Sequence, residues 1–383
     1  MVDNWTGVIL AGGIGSRLRP LTQYIPKPLV QVANKPMLDY AIDHLKYAGI
    51  KEIIVVVKHL GEKIRDHMEE EWFSNEERLG DLHIEVPHVN SLDTADALRK
   101  VDDLIETDYV LVSMGDIVTN LPLKDFLQYH VKKAGIASIS MKEIEEPKQY
   151  GVVILDPDGK IQVFLEKPTS QELYLSSFIQ QSEQVSAGNL INTGIYAFKS
   201  DILDLLRNDN SLMDFGKNVF PYLLENRFSI YGFVEKYYWM DVGQAKPYLW
   251  ANWDLLRGYG WPVTPRGTDH GGLWYDEKPG VNKGLKIDPP CALGKVQFGK
   301  NVHVKQLTTL DDNVTIGDGS KVERSTIWKN VTIGKDCDIK ESIVCNDVEL
   351  GDRVTLVNCV IGPQSKIASG RTLQYEKVIT KSD

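Results

Sequence analysis

Gly299, Gly317, Gly334 and Gly351 recur at intervals of 18, 17 and 17 residues near the end of this chain. Three of them close matching phrases, NVTIG (313–317), NVTIG (330–334) and DVELG (347–351). Apolar or small residues recur between them at roughly six-residue steps: Val314, Ser320 and Ile327, then Val331, Cys337 and Ile343, then Val348, Val354 and Val360. A repeat of three such faces makes one coil of a parallel β-helix. No coil can bury its own inward residues, so each must stack on the next. On this reading the named residues stack at the inner corners, and the glycines permit tight turns between faces. The repeat places a β-helix at 291–383.

A different pattern fills 1–260. Short runs rich in β-branched residues, VIL (8–10), EIIVVV (52–57), YVLVSM (109–114) and GIASISM (135–141), read as buried strands. Helix-like stretches separate them. PMLDYAIDHLKYAG begins at Pro36 and ends at Gly49, the expected order of helix start and stop residues. DTADALRKVDDLI and LKDFLQYHVKKAG are of the same kind. Alternation of this type predicts an α/β domain, a Rossmann-like, mostly parallel sheet with helices on both faces. Ligands then bind beyond the carboxyl ends of the strands. The segment 261–290 is dense in Pro and Gly and reads as a linker with one local hairpin.

The 383 residues carry a net charge of −10, so a general nucleic-acid partner is not expected. No apolar run approaches the ~18 residues of a membrane span. The N-terminus, MVDNWTGVIL, has neither the basic start nor the long apolar core of a secretion signal. Cys291, Cys337, Cys345 and Cys359 lack the short spacings of a zinc site, and the histidines are scattered. These features predict a cytoplasmic protein without a membrane association.

The chemistry concentrates in GVILAGGIGSRLRPLTQYIPKPL, residues 7–29. Three glycines after a strand let backbone N–H groups approach phosphate oxygens, and a following helical turn adds its dipole. The loop lacks the Gly-Lys-Ser/Thr ending of an ATPase P-loop, and Leu18 stands where a dinucleotide turn has its third glycine. Arg17 can grip two oxygens with its fork, whereas Lys27, between Pro26 and Pro28, offers a compact point charge. That pair suits a triphosphate. Asp116 in VLVSMGDIV and Asp241 in YYWMDVGQAKPY each follow an apolar segment. A carboxylate there can hold Mg²⁺, while a turn residue at 116 and an N-cap at 241 are the plain structural alternatives.

Gly12-Gly13-x-Gly15-x-Arg17-Leu18-x-Pro20-Leu21-Thr22, followed by Pro26-Lys27-Pro28, resembles the signature of sugar-1-phosphate nucleotidylyltransferases, or NDP-sugar pyrophosphorylases. The resemblance extends over essentially the whole chain, including the tail, which is similar to the left-handed hexapeptide type of β-helix. It implies transfer of a nucleotidyl group from a nucleoside triphosphate to a sugar 1-phosphate, releasing pyrophosphate. It implies catalytic roles for Arg17, Lys27, Asp116, Lys167 and Asp241, with Asp116 and Asp241 as Mg²⁺ ligands. It further implies that Leu10, Ala11, Gly12, Gly13, Gly15 and Ser16 line the nucleotide, joined by Asp93 and Thr94 of SLDTADAL (91–98).

Relatives often read Leu-Gly-Thr-Ala at that segment, so Asp93 and Asp96 depart from the pattern. Asp93 can accept hydrogen bonds from guanine or cap the helix that follows. FLEKP (164–168) and NTGIY (192–196) imply that Lys167 binds the sugar phosphate, that Glu166 and Asn192 bind sugar hydroxyls, and that Gly151 allows close backbone approach. EEPKQYGVV (145–153) and YWMDVGQAKPYL (238–249) look most like mannose-1-phosphate guanylyltransferases, which use GTP. Thymidylyl- and uridylyltransferases acting on glucose 1-phosphate share much of this frame.

Two other classes stay in view. A non-catalytic NDP-sugar-binding regulatory subunit would be expected to lack Arg17, Lys27, Asp116 or Asp241, yet all four are present. An acyltransferase would need a longer β-helix and a catalytic histidine, and only His303 lies in this one. The tail is therefore read as structural, supporting homo-oligomerisation.

Overall fold

A computed structural model describes residues 4–144, 151–166, 168–169 and 189–379. They divide into two compact units, one drawn from 1–13, 41–115 and 121–239, the other from 14–40, 116–120 and 240–383. Lys167 and residues 145–150 of EEPKQYGVV lie outside the described residues.

The first unit is built on one mixed sheet. Strands Glu52–Val56 and Tyr109–Met114 flank Trp5–Leu10 in parallel, and His83–Glu85 extends the parallel part. These are the β-branched runs seen in the sequence, and Val8, Ile54, Val56, Val110 and Val112 are buried in a single core. The remainder of the sheet is largely antiparallel. Leu190–Lys199 runs against Tyr109–Met114 on one side and against Ala137–Glu143 on the other. Its register shifts between Asn192 and Tyr196, where Gly194 adopts a φ of 82°. Such a bulge re-aims the residues beside it. It leaves Asn192 as the last pair before the irregularity.

The helices form largely where anticipated. Met37–Ala48 is followed by Gly49 at a φ of 93°, a conformation that costs glycine little. Leu123–Lys133 buries Leu123, Phe126, Leu127 and His130, the spacing of one helical face. The stretch from 93 breaks instead into a helix at Thr94–Arg99 and a separate turn at Asp102–Leu104. Among the described residues, no helix is long and apolar enough to cross a membrane.

In the second unit, three parallel ladders rise through the tail. They run Val296–Phe298 to Lys366–Ile367, Lys286–Ile287 to Thr372–Gln374, and Leu273–Tyr275 to Lys377–Val378. This is the coil the repeat demands, consistent with the left-handed form. Inside 261–290, Leu273–Tyr275 forms a hairpin with Thr268–Asp269 and also pairs in parallel with Cys291–Leu293.

Two details of the repeat differ from the sequence reading. The core stack on the third face is Ile327, Val344 and Ile361. Ile343 and Val360 are their strand neighbours and so point to the opposite face. The six-residue step mis-phases there because that face is one residue short in a 17-residue coil. The repeated glycines also serve a different purpose. None of Gly299, Gly317, Gly334 and Gly351 has a positive φ; the corners turn instead at residues such as Asn313, Asn330 and Asp347, at φ of 60–61°. A Cβ on Gly334 would sit 2.6 Å from the carbonyl carbon of Gly351 one coil away. Stacked backbone, not turn geometry, excludes a side chain.

Candidate functional site

Lys27 is fixed before its side chain reaches anything. Pro26 and Pro28 restrict φ on either side, and Lys27–Leu29 closes a 3-10 turn through Leu29 N–H to Pro26 O and Val30 N–H to Lys27 O, both 3.0 Å. Its stem packs beside Gly15, where an added Cβ would lie 3.0 Å from Lys27 Cβ and 3.0 Å from Thr22 Cγ2. Gly15 also has a φ of 66°, so both conformation and space demand glycine. Thr22 Oγ1 donates to Gly15 O at 2.7 Å and pins the loop.

The Lys27 ammonium ends 2.5 Å from Asp116 Oδ2 and 3.6 Å from Asp241 Oδ1. The two aspartates are brought together by a short two-stranded sheet. Asp116 immediately precedes Ile117–Thr119, which pairs with Trp239–Asp241. Lys27 is 8% exposed at its side chain, against 31% and 28% for the aspartates. A cation is thus buried at the base, and two carboxylates stay accessible above it. Lys27 holds the like-charged pair together, and removing it would leave the carboxylates unopposed.

Arg17 is exposed in the turn Ser16–Leu18. Its Nη2 lies 3.3 Å from where a Cβ on Gly243 would stand, and Asp241 Oδ2 is 3.4 Å from the same point. Gly243, to which the sequence reading gave no role of its own, keeps the space between Arg17 and Asp241 open. Among the described residues, no acceptor is bonded to the N–H groups of Gly13, Ile14, Gly15 and Ser16. Unpaired donors beside an exposed guanidinium make an anion cradle.

Two carboxylates alone do not make a protein cage for a metal, and no group of three or more His, Cys, Asp or Glu does so among the described residues. The pair fits Mg²⁺ nonetheless. That ion is commonly held by one or two carboxylates, with water and substrate phosphate completing its shell. The position of the Lys27 ammonium shows that the carboxylates already gather around positive charge.

In the first unit, Leu10 ends the strand that leads into the glycines and Ala11 follows it. Leu10 O accepts from Gly115 N at 3.0 Å, and Ala11 N donates to Val56 O at 2.9 Å. Gly12 faces the Lys58 stem, 3.2 Å from an added Cβ, while Gly13 has nothing within 4 Å.

Gly151, Glu166 and Asn192 meet in this unit. Asn192 N donates to Gly151 O at 2.8 Å, and its side chain is tied to Gly194 N and the Tyr196 hydroxyl at 2.9 and 3.0 Å. Burial pushes the Tyr196 phenol well above its ordinary pKa, so it stays a neutral hydrogen-bonding partner. Glu166 Oε2 fits into a notch made by two missing side chains, 2.9 Å from a Cβ on Gly151 and 2.5 Å from one on Gly216.

Asp93 caps helix Thr94–Arg99, accepting from Thr94 N at 3.0 Å. Burial, then the nearby Asp214, raises its pKa. Thr94 Oγ1 donates to Asp214 Oδ2 at 3.2 Å and accepts from Phe215 N at 3.1 Å. Asp214 in turn caps the helical turn Phe215–Val219 that carries Gly216. That turn therefore links Asp93 and Thr94 to the Glu166 notch. Asp96 is structural, accepting from Leu92 N and pairing with Arg99 at 2.7 and 2.8 Å. Asp214 and Gly216 were missed because neither belongs to a recognisable phrase.

Residues 6–258 match the nucleotidyl transferase family, and residues 272–382 match the GMPPB C-terminal domain. A mannose-1-phosphate guanyltransferase of Gibberella zeae is 33% identical over 297 residues, 76% of this chain and 73% of that protein. Mannose-1-phosphate guanylyltransferase catalytic subunit beta of Danio rerio is 30% identical over 328 residues, 84% of this chain and 81% of its own length. A probable mannose-1-phosphate guanylyltransferase 2 of Oryza sativa subsp. japonica is 29% identical over 351 residues, covering 84% and 90%.

Proposed function

Since the chain belongs to the nucleotidyl transferase family, we propose that it transfers a guanylyl group from GTP to mannose 1-phosphate, giving GDP-mannose and pyrophosphate. The observation that carries this reading is the Lys27 ammonium set between Asp116 and Asp241, beside a loop of unpaired N–H groups. The names of the similar proteins support the choice of GTP and mannose 1-phosphate.

The reaction is an in-line displacement. A phosphate oxygen of the sugar 1-phosphate attacks the α-phosphorus of the nucleotide, and the bond to the β-phosphate oxygen breaks. The nucleophile is already anionic, so positioning and charge stabilisation suffice and no general base is required. The N–H groups of 13–16 and Arg17 take the departing pyrophosphate, and Lys27 holds the triphosphate. Asp116 and Asp241 hold Mg²⁺, which when bound polarises phosphate oxygens and offsets their charge. Lys167 orients the attacking phosphate. Glu166, Asn192 and the open backbone at Gly151 receive the sugar, while Asp93 and Thr94 lie with the base. The setting is the cytoplasm, and the β-helix supports a homo-oligomer.

The test is pyrophosphate release from a matrix of nucleoside triphosphates and sugar 1-phosphates. GTP with mannose 1-phosphate should give the highest kcat/KM. A preference for glucose 1-phosphate with dTTP or UTP would replace the substrate assignment. Asp116→Asn should lower kcat on the order of 10²–10³-fold with the fold intact. Near-parental turnover in that variant would remove Asp116 from the reaction.

A further inference from the structure

The β-helix has one side that is not free surface. Helix Ala245–Leu256, which starts just after Asp241 and Gly243, sends Tyr248 into it. Tyr248 is fully buried and its hydroxyl joins two segments. It donates to Gln31 O at 2.7 Å and accepts from Trp328 Nε1 at 2.8 Å, with Thr326 Oγ1 at 3.5 Å. One turn on, Asn252 accepts from Ala33 N at 2.8 Å and donates back to Tyr248 O at 2.8 Å. Trp253 Nε1 reaches Arg324 O at 3.2 Å, and the Arg324 guanidinium covers the Trp253 ring at 4.7 Å.

The segment around Lys27 is fastened to the same ladder at two further points. Asn34 Nδ2 donates to Leu310 O at 2.7 Å. Pro20, in the glycine-rich signature, packs on Gly362, whose added Cβ would lie 3.2 Å from Pro20 Cβ. Gly362 follows Val360–Ile361 and Leu310 ends Thr308–Leu310, so both anchors belong to one ladder. The stretch 20–34 is thus held on the β-helix at both ends with Lys27 between them, and the helix after Asp241 is held by the coil between the two anchors.

We propose that this side of the β-helix supports the catalytic centre from outside it, and that Tyr248 and Trp328 are positioning residues which set Lys27 against Asp116 and Asp241. Neither touches the reacting groups. The Trp328–Tyr248–Gln31 hydrogen-bond chain fixes where segment 20–34 sits relative to the helix that follows Asp241. A displacement of about 1 Å at such a site can cost on the order of 10²-fold in rate. The kinetic consequence rests on the nucleotidyl-transfer reading above, whereas the placement of Lys27 does not.

The experiment compares full-length Trp328→Phe and Tyr248→Phe with Val331→Ala, a change within the core of the β-helix outside the Trp328–Tyr248–Gln31 hydrogen-bond chain. Two readouts are taken. The first is kcat and KM for each substrate. Trp328→Phe and Tyr248→Phe should lose at least about tenfold in kcat and raise the triphosphate KM. The sugar 1-phosphate KM should stay within about twofold, and Val331→Ala should lose stability but keep its kcat. The second is the acetylation rate of Lys27 by acetic anhydride, followed by peptide mass spectrometry and independent of turnover. Lys27 should be protected in the parent and in Val331→Ala, and labelled several-fold faster in the other two. Unchanged Lys27 labelling in both Trp328→Phe and Tyr248→Phe overturns the proposal, whatever reaction the protein performs. Loss of kcat in Val331→Ala to the same extent also overturns it, because general weakening of the β-helix would then explain the effect.

Discussion

A Cβ on Gly216 would lie 2.5 Å from Glu166 Oε2 and 2.9 Å from Glu166 Cδ. Gly216 has no positive φ, and the close neighbours of that Cβ all belong to Glu166, so alanine fits the backbone there and only the glutamate side chain must move. Gly216→Ala therefore displaces Glu166 without unfolding the turn Phe215–Val219. On the proposed function the expected result is selective. The KM for sugar 1-phosphate should rise about tenfold, the loss of one charge-assisted hydrogen bond. The KM for the triphosphate should stay within about twofold. Steady-state pyrophosphate release with each substrate varied in turn measures both, and equal movement of the two KM values would refute the sugar-side placement of Glu166. Gly216 was not legible in the sequence, because its importance comes from a contact with a residue 50 positions earlier. Lys27 was legible because its prolines, its loop and its charge are all local.

At the scale of the element, the β-helix coils separate what a sequence reveals from what it hides. The 17-residue period is visible because every coil repeats the same local demands. The phase within a coil is not, since Ile343 and Val344 are equally apolar and only the short third face decides which points inward. The same limit applied to the sheet of the first unit. Trp5–Leu10, Glu52–Val56 and Tyr109–Met114 announce themselves as apolar runs. The antiparallel partner Leu190–Lys199 carries Asn192, Thr193 and Gly194 within it and reads as a motif instead of a strand. For the coils, the close approach at Gly334 gives a prediction. Gly334→Ala puts a methyl 2.6 Å from the Gly351 carbonyl carbon and 2.7 Å from Asp352 N, with backbone on both counts. Overpacking of this kind costs about 1–3 kcal/mol. Asn330→Gly, at a corner with a φ of 60°, suits glycine sterically and gives up only the side-chain ladder Asn313–Asn330–Asp347. Urea unfolding should show the larger loss for Gly334→Ala. The reverse order would mean that corner hydrogen bonds outweigh coil spacing.

For the molecule as a whole, buried titratable groups pull its two units in opposite directions with pH. His44 and His130 lie in the first unit, and burial lowers each from 6.5 to about 4. Between those values the unfolded chain takes up protons that the folded unit refuses. Their contribution to stability is complete above pH 6.5 and is lost as pH falls toward 4. Asp311 lies in the second unit, 1% exposed with no partner for Oδ2 among the described residues, and burial raises it from 3.8 to about 6. Here the folded state holds the proton more tightly. Its contribution is complete below pH 3.8 and is lost as pH rises through 6. At about 1.4 kcal/mol per pH unit, each group accounts for roughly 3 kcal/mol over its window. Two histidines against one aspartate leave a net loss of stability on acidification. Asp311→Asn imitates the protonated acid, so its effect isolates the second unit. The variant should unfold at a higher temperature than the parent at pH 7, and the gap should close as the buffer approaches pH 4. An unfolding-temperature difference that is constant across that range would show that Asp311 titrates in the folded protein as it does in the unfolded one.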